Sequence, residues 1–342
     1  MTPIKVAVVG VGEWGPNLVR NFHNPPRSVV ASVVDAQPAR LELVGHRFPD
    51  IHLAPDATAV FSDESVEAVV VATPTSTHFE LAKAALQSGK HVLVEKPLAL
   101  TSEQAEELCR QADAADRVLM VGHLFRFNHG VQRVKEQISA GNLGRIFYAA
   151  MVRTNLGPIR RDVNAAWDLA AHDISIANYW FDDQPLSASA VGGSWINAGL
   201  DDAVFATLRY PEDILVNLHV SWLNPRKARD ITVVGDRAML TLDDMNLLEP
   251  LRLYDKGVVE ERDISEYIDT FASFRSNVRE GDIRIPRVEL GEPLRDECDH
   301  FLDCIEQSRQ PVTGGAEGVA VLKVLEAIQR SAGNHGREEP VA

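Results

Sequence analysis

The sequence predicts an α/β chain in two parts. An N-terminal doubly wound parallel sheet comes first, then an α+β domain built on one large, open, mostly antiparallel sheet. Three observations predict this. Short β-branched runs alternate with helical patterns over the first 122 residues, and such alternation implies a parallel sheet with crossover helices. After Gly122 the alternation stops, and longer strand patterns follow one another across hairpin-type turns. The chain has 342 residues, enough for about two domains at roughly 150 residues each. The expected boundaries are residues 1–122, 123–332 and a polar tail, 333–342.

The elements read off in order. Ile4 to Val9, Val29 to Val34, Ala68 to Ala72, His91 to Val94 and Val118 to Val121 are short buried-strand runs. Helical patterns lie between them: Trp14 to Phe22, Pro38 to Arg47, Thr77 to Gln87 with Gly89 as a stop, and Ser102 to Ala114. Ser102 can cap the last, because Glu103, Glu106 and Glu107 crowd its first turn. In the second half a helix runs from about Asn128 to Ala140. Strands follow at Arg145 to Thr154, Leu186 to Ile196, Ala203 to Tyr210, Ile214 to Trp222, Asp230 to Val234 and Ala238 to Leu242. A helix from about Ala165 to Phe181 interrupts them, and two more, near Leu294 to Ser308 and Gly318 to Ser331, close the chain. The tail from Gly333 is polar and expected to fray.

Composition narrows the function. The formal charge is -15, with 34 Lys plus Arg against 49 Asp plus Glu. An acidic total argues against nucleic acid as a partner, because phosphate backbones select basic surface. Three cysteines, Cys109, Cys298 and Cys304, form no C-x-x-C pair, which fits a reduced, cytoplasmic protein with neither disulfide framework nor metal site. The apolar run Val6 to Gly12 is too short for a signal peptide. No stretch approaches the roughly 18 apolar residues of a membrane span. Only 8 of the 34 basic residues are Lys, so a Lys in a special position stands out.

In a doubly wound sheet the ligand lies at the carboxyl ends of the strands. After the first strand comes Gly10-Val11-Gly12-Glu13-Trp14-Gly15, a full G-x-G-x-x-G. The first Gly allows a tight turn, the second lets backbone approach a pyrophosphate, and the third lets helix and strand pack closely. The helix N-terminus then offers unpaired N–H groups to phosphate. Glu13 and Trp14 lie within this loop and count as cofactor candidates with it. The second strand ends in Asp35, twenty residues beyond Gly15. A carboxylate there accepts from ribose hydroxyls and repels a 2′-phosphate, which favours NAD, with NADP possible. Arg40 can pair with a 2′-phosphate or be a solvated helix residue. The reading is a Rossmann dinucleotide-binding domain; the bland alternative is a glycine-rich turn with a helix-capping Asp.

The third strand ends in Thr73-Pro74-Thr75-Ser76-Thr77-His78. Thr73, Pro74 and Thr75 can line the cofactor, Ser76 and Thr77 can as well cap the next helix, and His78 either touches the cofactor or packs in the loop. The fourth ends in Glu95-Lys96-Pro97, where this fold places the nicotinamide. A Lys-Pro bond can be cis. An amine in a partly desolvated cleft can act as acid or base; a surface Lys paired with Glu95 fits the spacing equally well. In the second half, Asp168 and His172 are four apart on one helix face, with Tyr179 seven further on. A carboxylate beside an imidazole fixes its tautomer and raises its basicity, although a surface pair has the same spacing. The loop from Asn155 to Asn164 holds Arg160 and Arg161, whose forks suit carboxylate or phosphate or simply bridge to Asp162. Arg126 and Arg153 are further anion-binding candidates.

The combination Gly10-x-Gly12-x-Trp14-Gly15-x-Asn17, Glu95-Lys96-Pro97 and Asp168-x-x-x-His172 resembles the glucose-fructose oxidoreductase / inositol dehydrogenase / rhizopine-catabolism (Gfo/Idh/MocA) family. The likeness runs over nearly the whole chain, to the Glu292-Pro293-Leu294 helix entry. It implies a dinucleotide-binding domain followed by a large-sheet domain, with NAD(P) and a polyol or sugar at the junction. It also implies a catalytic set of Lys96, Asp168 and His172. A ring hydroxyl would lose its proton to His172 or neutral Lys96 while hydride leaves for NAD, with Asp168 orienting His172. Trp167 joins the residues expected near the cofactor. The stretch Asn155 to Asn164 followed by Trp167-Asp168 looks like the family's nucleotide-sugar branch, whose members often oxidise C3. Arg160 and Arg161 would then meet a diphosphate. Inositol or a free aldose is the alternative substrate, in either direction. A non-catalytic NAD(P)-binding regulator is the alternative of another class. A large sheet with helices on one face leaves its other face to be covered, so a homodimer or homotetramer is expected.

Overall fold

The structure, a computed structural model, describes residues 2–23, 26–258, 278–279 and 281–342. It divides into two compact units. The first comprises Met1–Phe127 and Glu292–Glu326, the second Asn128–Gly291 and Ala327–Ala342.

The first unit is a six-stranded sheet. Its strands are β1 (Ile4–Val9), β2 (Ser28–Val34), β3 (His52–Ala54), β4 (Ala68–Val71), β5 (His91–Glu95) and β6 (Leu119–Gly122), in the order β3-β2-β1-β4-β5-β6. Each neighbouring pair is parallel. The order reverses beside β1, so the switch point of the sheet falls at the glycine loop. Crossover helices are α1 (Gly15–His23), α2 (Pro38–Arg47), α3 (Thr58–Ser62), α4 (His78–Gln87) and α5 (Ser102–Ala115). Strand β4 is buried throughout, as its Ala-Val-Val-Val run demands of a strand covered on both faces. Two elements escaped the sequence reading, β3 and α3. Three and five residues are too short to show a period. A third difference concerns the start of α5. Thr101, not Ser102, accepts the N-terminal bond from Gln104 N (3.2 Å), and Ser102 is instead held by Glu326 through N (2.7 Å) and Oγ (2.8 Å).

The second unit carries α6 (His129–Ser139), β7 (Ile146–Leu156), a π-helical turn (Ala166–Ala170) running into α7 (Ala171–Phe181), β8 (Ser187–Gly193), β9 (Ala203–Arg209), β10 (Leu215–Ser221), β11 (Leu223–Gly235), β12 (Met239–Asp243), β13 (Leu251–Tyr254), β14 (Gly257–Val258), β15 (Val278–Arg279) and β16 (Ile283–Arg284). Nine strands form one sheet, β16-β13-β12-β11-β7-β10-β9-β8-β17, where β17 is Glu339–Pro340. Strands β7 and β10 run parallel and the other neighbouring pairs antiparallel. One face is apolar across the sheet. Ala190, Ala206, Leu218, Met151, Ile231 and Leu242 pair in register and are all buried.

Two of the expected boundaries shift. The helix α8 (Pro293–Gln307) packs in the first unit rather than with the strands before it. Phe301 meets Phe22 of α1 edge-on, ring centroids 6.2 Å apart. Arg27 also reaches Asp303 (2.6 Å) and Glu306 (2.7 Å). The last helix, α9 (Gly315–Gly333), spans the boundary at residue 326. The tail does not fray: Glu339 and Pro340 extend the sheet beyond β8, and Ser331 Oγ donates to Arg337 O. Among the described residues no helix is long and apolar enough to cross a membrane.

Candidate active site

In the first unit the carboxyl ends of β1, β2, β4 and β5 bring together most of the expected cofactor residues. Gly10 has φ +95, and a Cβ there would lie 2.7 Å from Ala72 C. A Cβ on Gly15 would lie 2.1 Å from Gly10 O. Both glycines are therefore required by the fold itself. Gly12 differs. A Cβ there meets nothing nearer than Arg40 Nη1 at 3.7 Å, so the space beside it is open. An open glycine between two structural ones is what a pyrophosphate needs. Asp35 is buried and accepts from Val11 N through Oδ2 (2.9 Å) and from Gln37 N through Oδ1 (2.8 Å). Each oxygen keeps a second lone pair, enough to receive a ribose hydroxyl. Arg40 Nη1 lies 3.6 Å from Asp35 Oδ2, so part of its charge is already answered. Glu13 is exposed at the mouth of the loop. The residues present fit a dinucleotide.

Strand β4 leads through Thr73 and exposed Pro74 to a 3-10 turn, Thr75–Thr77, in which Thr75 is buried. Thr77 Oγ1 lies 2.7 Å from Thr73 Oγ1 and 2.8 Å from Pro74 O; it does not cap α4. His78 needs correcting as a cofactor contact. It is 1% exposed, with Nδ1 2.8 Å from Pro97 O and Nε2 2.9 Å from Thr73 O. Each ring nitrogen faces a backbone carbonyl, and the one that carries the proton donates to it, so His78 packs between the two strand ends. Lys96-Pro97 is a cis bond.

Glu95 and Lys96 sit at the end of β5, both half-buried. Burial pushes the Glu95 carboxyl up to about 7, against the Lys96 charge and hydrogen bonds from Lys96 N and the Trp14 side chain. Glu297 of α8 is wholly buried. Burial, then the charge of Glu95, hold it well above the usual carboxylate range. Glu297 was missed in the sequence, where it reads as one more acid on an amphipathic helix. His123 is buried with Nε2 3.2 Å from Glu317 Oε2. Burial lowers its pKa against the pull of Glu317, and the charges of Arg126 and Lys96 lower it further. Arg126 and Lys96 thus both act on His123.

In the second unit Asp168 lies in the π turn, which Asn164 opens by accepting from Trp167 N (3.0 Å). The turn that carries Asp168 is thus π-helical, with His172 in the first turn of α7 after it; π turns bond i to i+5 and recur at functional sites. Asp168 is fixed from two sides. Oδ1 accepts from Arg160 Nη1 (3.2 Å) and Oδ2 from Trp222 Nε1 (3.1 Å). Trp222, on the corner between β10 and β11, was not singled out in the sequence; only the contact reveals it. His172, on the following turn, is half-buried.

Arg160, Arg153, Tyr179 and Trp167 make contacts within the chain. Arg160 also bonds Asp162 through Nε (2.9 Å). Burial opposes its charge, but bonds to Asp162 and the charges of Asp168 and Asp162 outweigh that and raise its pKa. Its fork therefore serves two carboxylates of its own chain. Arg161 is exposed and makes no ion pair among the described residues. Arg153 is buried and gives Nε (2.9 Å) and Nη2 (2.7 Å) to Asp173 Oδ1, an internal ion pair rather than an anion hook. Tyr179 shares the helix face of His172 but lies about 10 Å further along the axis, with Lys135 Nζ 5.5 Å above its ring. Trp167 is buried and donates Nε1 to Gln329 Oε1 (2.9 Å). Asn155 is half-buried near the end of β7.

Known proteins agree with this division. Residues 4–123 match the family described as "Oxidoreductase family, NAD-binding Rossmann fold", and residues 131–241 match the GFO/IDH/MocA C-terminal domain. The oxidoreductase YdgJ of Escherichia coli (strain K12) is 32% identical over 250 residues, 68% of this chain and 69% of its own. The inositol 2-dehydrogenase of Acidothermus cellulolyticus is 27% identical over 64% of this chain; the match spans 66% of that relative, just under two thirds. The UDP-N-acetylglucosamine 3-dehydrogenase of Acidithiobacillus ferrooxidans is 26% identical over 75% of this chain and 79% of its own. Its solved structure superposes with a TM-score of 0.81 at 25% identity, covering 97% of this chain and 98% of that one.

Proposed function

The chain belongs to the GFO/IDH/MocA oxidoreductase family, and from that premise we propose that it is an NAD-dependent dehydrogenase acting on a ring hydroxyl of a sugar, carried as a nucleotide sugar. One observation carries the proton chemistry. Asp168 is held on a π turn by Arg160 and Trp222 immediately before His172. A carboxylate fixed in this way, one turn before His172, can orient the imidazole for proton uptake. His172 takes the hydroxyl proton, and Lys96, next to Glu95 at the end of β5, steadies the oxygen. Bound NAD supplies the hydride acceptor. Gly12 and Asp35 hold the dinucleotide, the first by its open backbone and the second by its carboxylate.

The nucleotide-sugar assignment draws support from the UDP-N-acetylglucosamine 3-dehydrogenase relative and from exposed Arg161, a cation with no ion pair among the described residues and suited to a diphosphate. Inositol is the second reading, favoured by the inositol 2-dehydrogenase relative. We take the protein as cytoplasmic, consistent with its three unpaired cysteines. Absorbance of reduced nicotinamide, with NAD or NADP and a panel of nucleotide sugars, inositols and free aldoses, tests the proposal. Turnover of a nucleotide sugar with NAD is expected; turnover confined to free polyols would overturn the substrate class.

A further inference from the structure

A loop beside Asp168 presents an indole to solvent. Trp195 lies between β8 and β9 and is 67% exposed, with Ile196 next to it at 60%. Large apolar side chains left open cost solvation free energy, and a mobile loop would relieve the cost by folding them in. This loop is pinned. Asp202 is wholly buried, and its Oδ2 accepts from both Trp195 N (2.6 Å) and Ile196 N (2.7 Å). Ser194 Oγ bonds Asp201 Oδ1 (3.0 Å).

The pins lead to the proton-handling residues. Trp222 N donates to Asp202 O (3.0 Å), while the same residue's indole N–H holds Asp168. Ala165 N, at the start of the π turn, donates to Asp201 O (2.8 Å). Asn197 Nδ2 donates to Arg160 O (3.0 Å). Trp195 therefore belongs to the same braced assembly as Arg160 and Asp168. Its ring lies against Gly193, where a Cβ would come within 2.3 Å of Trp195 Cη2. Backbone supports one side of the ring, and the large exposed area leaves a face open. A ring fixed in this way loses little entropy when something stacks on it.

We propose that Trp195 is the stacking platform for the nucleobase of the substrate, with Arg161 meeting its diphosphate. A flat apolar face at Trp195, an exposed cation next in sequence to Arg160 and a held Asp168 are the three kinds of group that a nucleotide sugar calls for: one for base, one for diphosphate, one for sugar. Aromatic faces stack on any base, so the platform sets the class of ligand and leaves the choice of base to its rim. The inference rests on the nucleotide-sugar reading above and adds the residue that grips its nucleotide end.

Two measurements test it together. UDP is titrated while indole emission is followed, in the wild type and in Trp195→Phe. KM and kcat for the nucleotide sugar are compared in wild type, Trp195→Ala and Trp195→Phe, with masses checked by light scattering. UDP should quench the wild type and leave Trp195→Phe nearly unchanged. Trp195→Ala should raise KM about 5- to 100-fold, the range of a lost base stack, with kcat following little, and Trp195→Phe should restore most of the affinity. If the wild type oxidises nucleotide sugars but Trp195→Ala keeps its KM, the platform is refuted and the substrate class stands. If Trp195→Ala changes the oligomeric mass at unaltered KM, the ring serves a second copy of the chain and the platform is again refuted. A wild type that neither binds UDP nor oxidises nucleotide sugars refutes both.

Discussion

Gly10 and Gly12 separate folding from binding within one loop. Gly10 sits at φ +95 with no room for a Cβ, while Gly12 has room. Gly10→Ala is therefore expected to destabilise the fold by about 1–3 kcal/mol. Gly12→Ala should leave the melting temperature close to wild type but weaken NAD binding roughly tenfold or more, because the methyl occupies the pyrophosphate approach. Thermal melts and NAD titration of both variants check the pair; equal losses of stability would contradict it. Glu95 has its own signature. Its carboxyl titrates normally at 4.5 and is raised to about 7 by burial in the fold. Folding therefore favours the protonated form. That contribution is fully present below 4.5 and is lost as pH rises towards 7, on the order of 2–3 kcal/mol in all. Glu95→Gln, which cannot ionise, should melt progressively higher than wild type between pH 5 and 8. A constant difference across that range would mean Glu95 is ionised throughout.

At the scale of elements, what the sequence disclosed depended on length and on locality. Strand β4 and helix α2 were legible because a long apolar run or a clear period marks them, and the glycine loop because its motif is contiguous. Strands β3 and β16 were not, since three or two residues carry no period. The site divided the same way. Asp168 and His172 were visible as a spaced pair, but Trp222 was hidden because it reaches Asp168 across 54 residues. Arg153 misled for the converse reason: its partner Asp173 lies on another element, and only packing shows the charge already spent. The tail shows the consequence for stability. Strand β17 covers the edge of β8, and Glu338 lies 3.6 Å from Arg209. Deleting residues 338–342 uncovers that edge, and exposed edges invite association. A melting temperature lower by a few degrees, with more aggregation on heating, is expected from scanning calorimetry. An unchanged melt would mean the pairing contributes nothing.

For the whole molecule, the nine-stranded sheet poses a question of coverage. Its outward row runs Val191, Phe205, His219, Val152 across four strands. The Phe205 and His219 rings stack with centroids 4.4 Å apart. Val191 and Phe205 are exposed, as are Tyr148 and Leu215 further along the face. Such an exposed apolar surface is most readily taken out of water when a second copy covers it. Light scattering at micromolar concentration should report a dimer or tetramer, and a monomer mass would refute the expectation. Lys96 belongs to the first unit, with the glycine loop, and Asp168 and His172 to the second. The most direct test compares wild type with Lys96→Ala by absorbance of reduced nicotinamide, using NAD and the best substrate from the panel. We expect turnover to fall by about 10²- to 10³-fold, the usual weight of a donor that steadies a developing oxygen charge, with NAD affinity nearly unchanged. Near-normal turnover in Lys96→Ala would contradict the account.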